Sequence, residues 1–139
     1  LLSINNVVKK TKIKIDVKCD PKIEIQSYPG AISQIITNLV MNSLIHAYGK
    51  NDTGIITIDL HSGEAENEYI IIFNDDGKGM NDTNKARIFD PFFTTNREEG
   101  GSGLGMNIIY NLITTKLNGD IIVESKEGEG TRFIITMHI

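Results

Sequence analysis

Two asparagines, Asn38 and Asn42, are the first residues along the chain whose type and spacing suggest chemistry. On a helix, residues four apart lie about 40° apart around the axis and so face the same way. Asparagine is less favourable than alanine inside a helix by up to about 0.7 kcal/mol. Exposed or locally bonded amides are the ordinary interpretation, but two in register beside an apolar stripe favour a functional one. Because neutral amide oxygens suit Mg²⁺ that keeps water and phosphate ligands, the pair predicts a site for this ion.

A second candidate is Asp75, which follows an apolar run and precedes Gly77 and Gly79. An Asp-Gly pair is commonly a hairpin turn, but the polar residues that follow show no alternation and predict no returning strand. An ionised carboxylate only accepts hydrogen bonds, and glycines let a flat ligand approach the backbone. Asp75 is therefore a candidate partner for the exocyclic amine of adenine.

A glycine-rich segment, residues 100–105, opens a predicted helix. Successive backbone N–H groups at such a place can bind a phosphate. The segment lacks the Gly-Lys-Ser/Thr ending of a Walker A loop and the glycine spacing of a dinucleotide fingerprint. A flexible hinge and a phosphate-binding loop are equally good interpretations of this motif alone.

The composition restricts the class of protein. A chain of 139 residues has the length of one domain, and a net charge of −4 gives no basic excess for binding nucleic acid. The single cysteine, Cys19, excludes an intrachain disulfide and a multi-cysteine metal site. The apolar runs are too short to cross a bilayer. Because the chain begins with Leu1 and not with methionine, we expect residues 1–139 to be one domain of a longer protein.

The elements that must position these groups follow from the hydrophobic pattern. Apolar alternation predicts strands, and helical spacing predicts a long helix at 29–48, a short one at 85–89 and another at 104–117. The predicted strands are residues 13–17, 23–25, 55–60, 69–73, 121–123 and 133–137. The sparse pattern between residues 80 and 102 predicts a lid or binding loop. This order predicts an α+β fold, a two-layer sandwich whose helices cover one face of a mixed, largely antiparallel sheet.

Five motifs in this order resemble the ATP-binding domain of bacterial sensor histidine kinases, which belongs to the gyrase, MutL and histidine kinase superfamily. The resemblance extends from about residue 13 to residue 139. The motifs and their counterparts are 34–42 (the N box), 75–79 (the G1 box), 88–95 (the F box), 101–105 (the G2 box) and 128–133 (the last glycine turn).

The resemblance implies a Bergerat-type sandwich with a flexible ATP lid over residues 80–102. It implies that Asp75 binds the adenine amine and that Asn42, with Asn38 near it, holds Mg²⁺ on the phosphates as the catalytic pair. The nucleotide-binding residues that it implies are Asn38, Asn42, His46, Asp75, Gly77, Gly79, Met80, Phe92, Thr94, Ser102, Gly103, Leu104, Gly105 and Thr131.

Three positions depart from the usual family pattern. Ile45 stands where many members carry a basic residue, which leaves His46 as a substitute for a phosphate contact. Asn96 stands where lysine is common, so Arg97 is the nearest cation of the lid. Asp76 stands where asparagine is frequent and is expected to bring a second carboxylate close to the base.

The family transfers the γ-phosphoryl group of ATP to a histidine on a separate helical dimerisation domain. The resemblance therefore implies a cytoplasmic protein-histidine kinase of a two-component system, with that upstream domain and a response regulator as partners. It implies no contact of this domain with nucleic acid or membrane, and it leaves open whether the parent protein is membrane-anchored. None of the three histidines has the setting of a phosphoacceptor.

Two other functions stay open. Superfamily ATPases of the gyrase or MutL kind carry a glutamate at the position of Asn38, and an amide is a poor general base, which favours the kinase. A nucleotide-sensing or serine-kinase regulatory module is the third hypothesis.

Overall fold

The computed structural model describes residues 11–19, 29–49, 51–93 and 105–139. In these ranges the chain forms five strands and three helices. In chain order they are β1 (Lys12–Cys19), α1 (Pro29–His46), β2 (Thr53–Ser62), β3 (Glu68–Asp75), α2 (Asp82–Arg87), α3 (Gly105–Asn111, extended by a π-helical turn Leu112–Lys116), β4 (Asp120–Ser125) and β5 (Thr131–His138). The strand predicted at 23–25 lies outside the described residues.

The five strands form one mixed sheet in the order β1-β2-β3-β5-β4. Strands β1 and β2 are parallel, and the other three neighbouring pairs are antiparallel. A parallel pair needs a long crossover, and α1 lies between these two strands in the chain. The predicted mixed, largely antiparallel sheet is therefore confirmed.

The helices share one apolar core with one face of the sheet. Alternate residues of each strand point to opposite faces, so the buried isoleucines and phenylalanines of β2, β3 and β5 lie on the same side as the helices. The fully buried residues of this core include Ile35, Leu39, Ile56, Ile71, Phe73, Ile109, Ile113, Leu117, Phe133, Ile135 and Met137. This packing confirms the predicted α+β sandwich. Among the described helices, none has both the length and the apolarity to cross a membrane.

Two helices differ from their predicted forms. Helix α2 begins at Asp82, because the side chain of Asn81 caps it by accepting a hydrogen bond from the backbone N–H of Asn84 at 2.7 Å. Helix α3 does not continue unchanged to Leu117 but widens into the π-helical turn, where the N–H of Leu117 donates to the carbonyl of Leu112 at 3.2 Å.

Candidate nucleotide-binding site

The carboxylate of Asp75 lies at the end of β3, on the helix-facing side of the sheet, and is only 7% exposed. The hydroxyl of Ser43, on α1, donates to its Oδ2 at 2.8 Å. The backbone N–H groups of Gly77 and Thr131 donate to its Oδ1 at 3.1 and 3.2 Å. A carboxylate has about four acceptor positions, and Oδ1 already accepts two bonds while Oδ2 accepts one. One acceptor position, on Oδ2, is therefore left for a donor from outside the protein.

The electrostatic setting of Asp75 is unusual for a carboxylate. Burial raises the pKa of Asp75 above its ordinary value, although the hydrogen bonds from Ser43, Gly77 and Thr131 act in the opposite direction. The negative charge of Asp76 raises it further. The three donors therefore stabilise the charged form at a place where burial disfavours it. A buried carboxylate with a perturbed pKa and an unused acceptor position is a candidate for a functional role.

The segment after β3 does not turn back as a hairpin but is held against its neighbours. The N–H of Lys78 donates to the carbonyl of Ala47 at 2.9 Å, just after α1. The carbonyl of Lys78 accepts from the N–H of Gly128 at 2.7 Å, in the turn between β4 and β5. A Cβ on Gly77 would run into Ala47. These contacts fix the backbone beside Asp75 from two sides.

Gly79 and Gly130 have φ angles of +69° and +82°, which L side chains rarely adopt. A Cβ on Gly79 would collide with the carbonyl of Lys126, and one on Gly130 with the carbonyl of Asp75. The predicted glycine motifs at 75–79 and 128–133 therefore meet here, with their backbones in direct contact.

A small polar network supports this junction. The N–H of Met80 donates to the hydroxyl oxygen of Ser125 at 2.8 Å. The Ser125 hydroxyl lies 2.9 Å from the carbonyl of Gly130 and 2.8 Å from the hydroxyl of Thr131. Ser125 and Thr131 are both buried. Thr131 thus contributes its backbone to Asp75 and its side chain to the network beneath it.

Helix α1 carries three of the predicted site residues, Asn38, Asn42 and His46, along one line at intervals of four. At 1.5 Å per residue they extend over about 12 Å. The side-chain amide of Asn38 donates to the carbonyl of Gly105, the first residue of α3, at 3.1 Å. Asn42 is half-buried and makes no side-chain hydrogen bond within the described ranges. The line leads from the start of α3 to the neighbourhood of Asp75.

His46 lies beside the segment that follows β3. Burial lowers the pKa of His46 below its ordinary value, and the nearby charge of Lys78 lowers it further. A neutral imidazole supplies a single N–H donor, so its contact with a phosphate would be a hydrogen bond and not an ion pair. The charge of Lys78 is close enough to His46 to affect its pKa, so this end of α1 has a cation near it.

The predicted F box is only partly packed. Phe89 stacks on Tyr110 with ring centroids 5.2 Å apart, and the guanidinium of Arg87 lies 4.8 Å from the ring centroid of Phe93. Phe92, in contrast, is 58% exposed and has a φ of +64°. The remaining predicted residues, Thr94, Ser102, Gly103 and Leu104, lie outside the described residues.

Sequence reasoning missed Ser43, which holds Asp75 from α1. A signal was present, because Ser43 follows Leu39 by four residues and therefore occupies a place on the apolar stripe of the helix. A hydroxyl at a core position needs a hydrogen-bond partner. Which partner it would find was not visible in the sequence.

The sequence of the chain matches a known protein family. The family described as histidine kinase-, DNA gyrase B-, and HSP90-like ATPase matches residues 27–139. The chain belongs to this ATPase family. The predicted resemblance to the ATP-binding domain of sensor histidine kinases is thereby confirmed, and with it the general ATP-binding role.

Individual relatives of this ATPase domain are sensor kinases. The chain is similar to the autoinducer 2 sensor kinase/phosphatase LuxQ of Vibrio harveyi, with 36% identity over 141 residues, covering 94% of this chain and 16% of that protein. It is 36% identical to the sensor histidine kinase ZraS of Salmonella typhi over 83% of this chain and 23% of that protein. The nucleotide-free catalytic domain of the histidine kinase ThkA has a similar structure, with a TM-score of 0.76, 28% identity, and coverage of 98% of this chain and 86% of that one. The chain thus spans less than a quarter of these curated relatives.

Proposed function

We propose that the chain binds Mg-ATP between α1 and the segment after β3 and donates the γ-phosphoryl group to a histidine on a separate helical dimerisation domain. It would thus be the catalytic domain, residues 1–139, of a longer cytoplasmic sensor histidine kinase that works with a response regulator. The observation that carries this proposal is the single free acceptor on the buried carboxylate of Asp75, which matches a donor such as the adenine amine.

The line of polar groups on α1 supports the orientation of the nucleotide. Adenine would lie near Asp75, at the end of the line where Ser43 bonds Asp75 and Ala47 contacts the segment after β3. The phosphates would extend past Asn42 towards Gly105, where α3 begins. Asn38 joins α1 to that end through its 3.1 Å hydrogen bond to Gly105.

The amide oxygens of Asn42 and Asn38 fit Mg²⁺, a hard cation that accepts neutral oxygen ligands and keeps phosphate and water in its coordination shell. Asn42 has its side chain uncommitted within the described ranges, while Asn38 uses only its N–H₂ group and keeps its oxygen. Bound there, the ion would neutralise charge on the β- and γ-phosphates. In the transfer itself, the bond between the γ-phosphorus and its bridging oxygen breaks, a bond to an imidazole nitrogen forms, and ADP leaves.

ATP hydrolysis is the second candidate function, and Asn38 argues against it. A hydrolase needs a base near the attacking water, whereas an amide cannot take up a proton near neutral pH. Asn38 moreover donates to the carbonyl of Gly105 and so serves as a link between helices.

The test is to extend the chain through the upstream region of its parent protein and incubate it with γ-labelled ATP and Mg²⁺. We expect label on the protein that is lost in acid and retained in alkali, as for phosphohistidine. Release of inorganic phosphate without any labelled protein would show a hydrolase instead. Acid-stable label would show a serine kinase, and either result would overturn the proposal.

A further inference from the structure

Tyr48 and Asp76 form a compact junction that the proposed nucleotide contacts do not use. The hydroxyl of Tyr48, two residues after α1, donates to Oδ1 of Asp76 at 2.7 Å and accepts from the N–H of Asp76 at 3.1 Å. The N–H of Ile55, in β2, donates to the same Oδ1 at 2.9 Å. Asp76 thereby ties the end of α1 and the start of β2 to the exit of β3. Oδ1 of Asp76 is engaged in this junction, and the expectation that Asp76 brings a second carboxylate close to the base stays a prediction.

The packing around the junction is specific. Gly54, in β2, lies so close to the ring of Tyr48 and the carboxylate of Asp76 that a Cβ at this position would collide with both. A glycine inside a strand often marks such a close approach. The ring of Tyr48 therefore occupies a place that the strand leaves open for it.

The junction continues the sheet beyond its last ladder pair. The pairing of β2 and β3 reaches Ile56 and Asp75. At the next position the side chain of Asp76, and not its backbone, accepts the hydrogen bond from Ile55. The N–H of Asp76 is meanwhile bound to Tyr48, which fixes the peptide between Asp75 and Asp76. The following N–H, that of Gly77, is one of the donors to Asp75.

The charges of the junction suit a permanent contact. Burial alone would raise the pKa of Asp76, but the hydrogen bonds from Tyr48, from Ile55 and from its own N–H lower it below its ordinary value. Burial and the bond to Asp76 raise the pKa of Tyr48. Asp76 is thus ionised and Tyr48 protonated near neutral pH, as the observed bonds require.

We propose that Tyr48 is a positioning residue for base recognition, acting through Asp76 to hold Asp75 with its free Oδ2 acceptor aimed at the ligand. This proposal rests on the proposed function, because the contact that it positions is the one to the adenine amine. Without the Tyr48 hydroxyl, the peptide after Asp75 can rotate and the N–H of Gly77 can leave Oδ1. The carboxylate then loses its fixed direction.

The experiment is calorimetric titration of the chain with Mg-ATP and with Mg-purine riboside triphosphate, which lacks the exocyclic amine. The variants are Tyr48→Phe, which removes only the hydroxyl, and Tyr69→Phe, a matched control at the far end of β3. We expect Tyr48→Phe to weaken ATP binding about tenfold, as for one hydrogen bond to a charged group, and to leave the amine-free nucleotide nearly unaffected. Tyr69→Phe should change neither affinity.

A second pair of variants tests the same junction from its other side. Asp76→Ala should reproduce the selective loss, whereas Asp76→Asn keeps an oxygen for Tyr48 and Ile55 and should retain most of the affinity. The double variant Tyr48→Phe/Asp76→Ala should bind ATP about as well as either single one, because the residues act as a unit.

The unmodified chain and the variants test different claims. If the unmodified chain binds the two nucleotides equally, the adenine contact of the proposed function is wrong. Suppose instead that the unmodified chain binds ATP more tightly, but Tyr48→Phe weakens the binding of both nucleotides by the same factor. Tyr48 then stabilises the fold without positioning Asp75, and the inference is overturned.

Discussion

Replacing Asp75 with asparagine separates the binding role of this residue from any structural one. In the variant, the side-chain oxygen has to take the place of Oδ1, because the N–H groups of Gly77 and Thr131 both donate there. The N–H₂ group then occupies the place of Oδ2, where the hydroxyl oxygen of Ser43 can accept from it. The fold keeps its hydrogen bonds, but the free acceptor becomes a donor that faces the donor of adenine.

The expected loss follows from the bond that is removed. A hydrogen bond to a charged group contributes about 1.5–3 kcal/mol, which corresponds to about 10- to 100-fold weaker ATP binding. The free energy of unfolding should not fall. Because burial raises the pKa of Asp75 in the folded protein, its ionised form opposes folding, and that cost appears as the pH rises through the folded pKa. At neutral pH the neutral amide should therefore be at least as stable.

The assay combines calorimetric titration with Mg-ATP and urea denaturation of the same samples. Asp16→Asn, an exposed residue of β1, is the matched control and should alter neither quantity. Unchanged ATP affinity in Asp75→Asn would refute the reasoning. A large loss of stability would also refute it, because it would show that the carboxylate supports the fold.

Three further predictions concern Asn42, Ser43 and the contact between His138 and Glu68. Asn42→Ala should leave adenosine binding nearly intact and abolish the gain in ATP affinity that Mg²⁺ provides, and an equal gain in parent and variant would place the metal elsewhere. Ser43→Ala removes a donor from the buried carboxylate of Asp75 and should lower the free energy of unfolding by about 1–3 kcal/mol in denaturation experiments. An unchanged free energy of unfolding would contradict this role of Ser43. Nδ1 of His138 lies 2.8 Å from the carbonyl oxygen of Asn118, and its Nε2 lies 2.9 Å from Oε2 of Glu68. The bonds to Asn118 and to Glu68 raise the pKa of His138. The bond to His138 in turn lowers the pKa of Glu68. The pair should therefore stabilise the fold between the ordinary values of 4.5 and 6.5 and lose this effect as the pH rises through the folded pKa of His138. The stability difference between the unmodified chain and His138→Gln should then shrink as the pH rises above the ordinary His value of 6.5, and a difference that does not change with pH would contradict this assignment.

Much of the fold could be predicted because it depends on local patterns. The alternation at 55–60 and 69–73 gave two strands close to their observed bounds, and the apolar spacing of 29–48 gave α1 to within two residues. The order of strands in the sheet depends on contacts between distant segments, which no local pattern encodes. The π-helical turn was missed for a related reason, since Leu112–Lys116 has the same apolar spacing as an ordinary helix.

The candidate site was predicted in part. Asp75 and the glycines stood out because their residue types break the surrounding pattern. The structure brings Gly77, Gly79 and Thr131 together beside the end of β3. The partners that hold Asp75 in place were not visible. The place of Ser43 on the apolar stripe indicated that it needs a partner, but not which one. Tyr48 gave no such signal, and its contact with Asp76 depends on how the end of β3 approaches the end of α1.

The central claim is that ATP lies along α1 with its base at Asp75 and its phosphates towards Gly105. The most direct test is a titration of the isotopically labelled chain with an unhydrolysable ATP analogue, followed by ¹H–¹⁵N correlation spectra with and without Mg²⁺. We predict shifts of the backbone N–H groups of Gly77 and Thr131 in both conditions and of the Asn42 side-chain amide only with Mg²⁺. The exposed Ile122 on the opposite face of the sheet should not shift. If the signals of Gly77 and Thr131 do not shift, or if the Asn42 side-chain signal is the same with and without Mg²⁺, this placement of the nucleotide is contradicted.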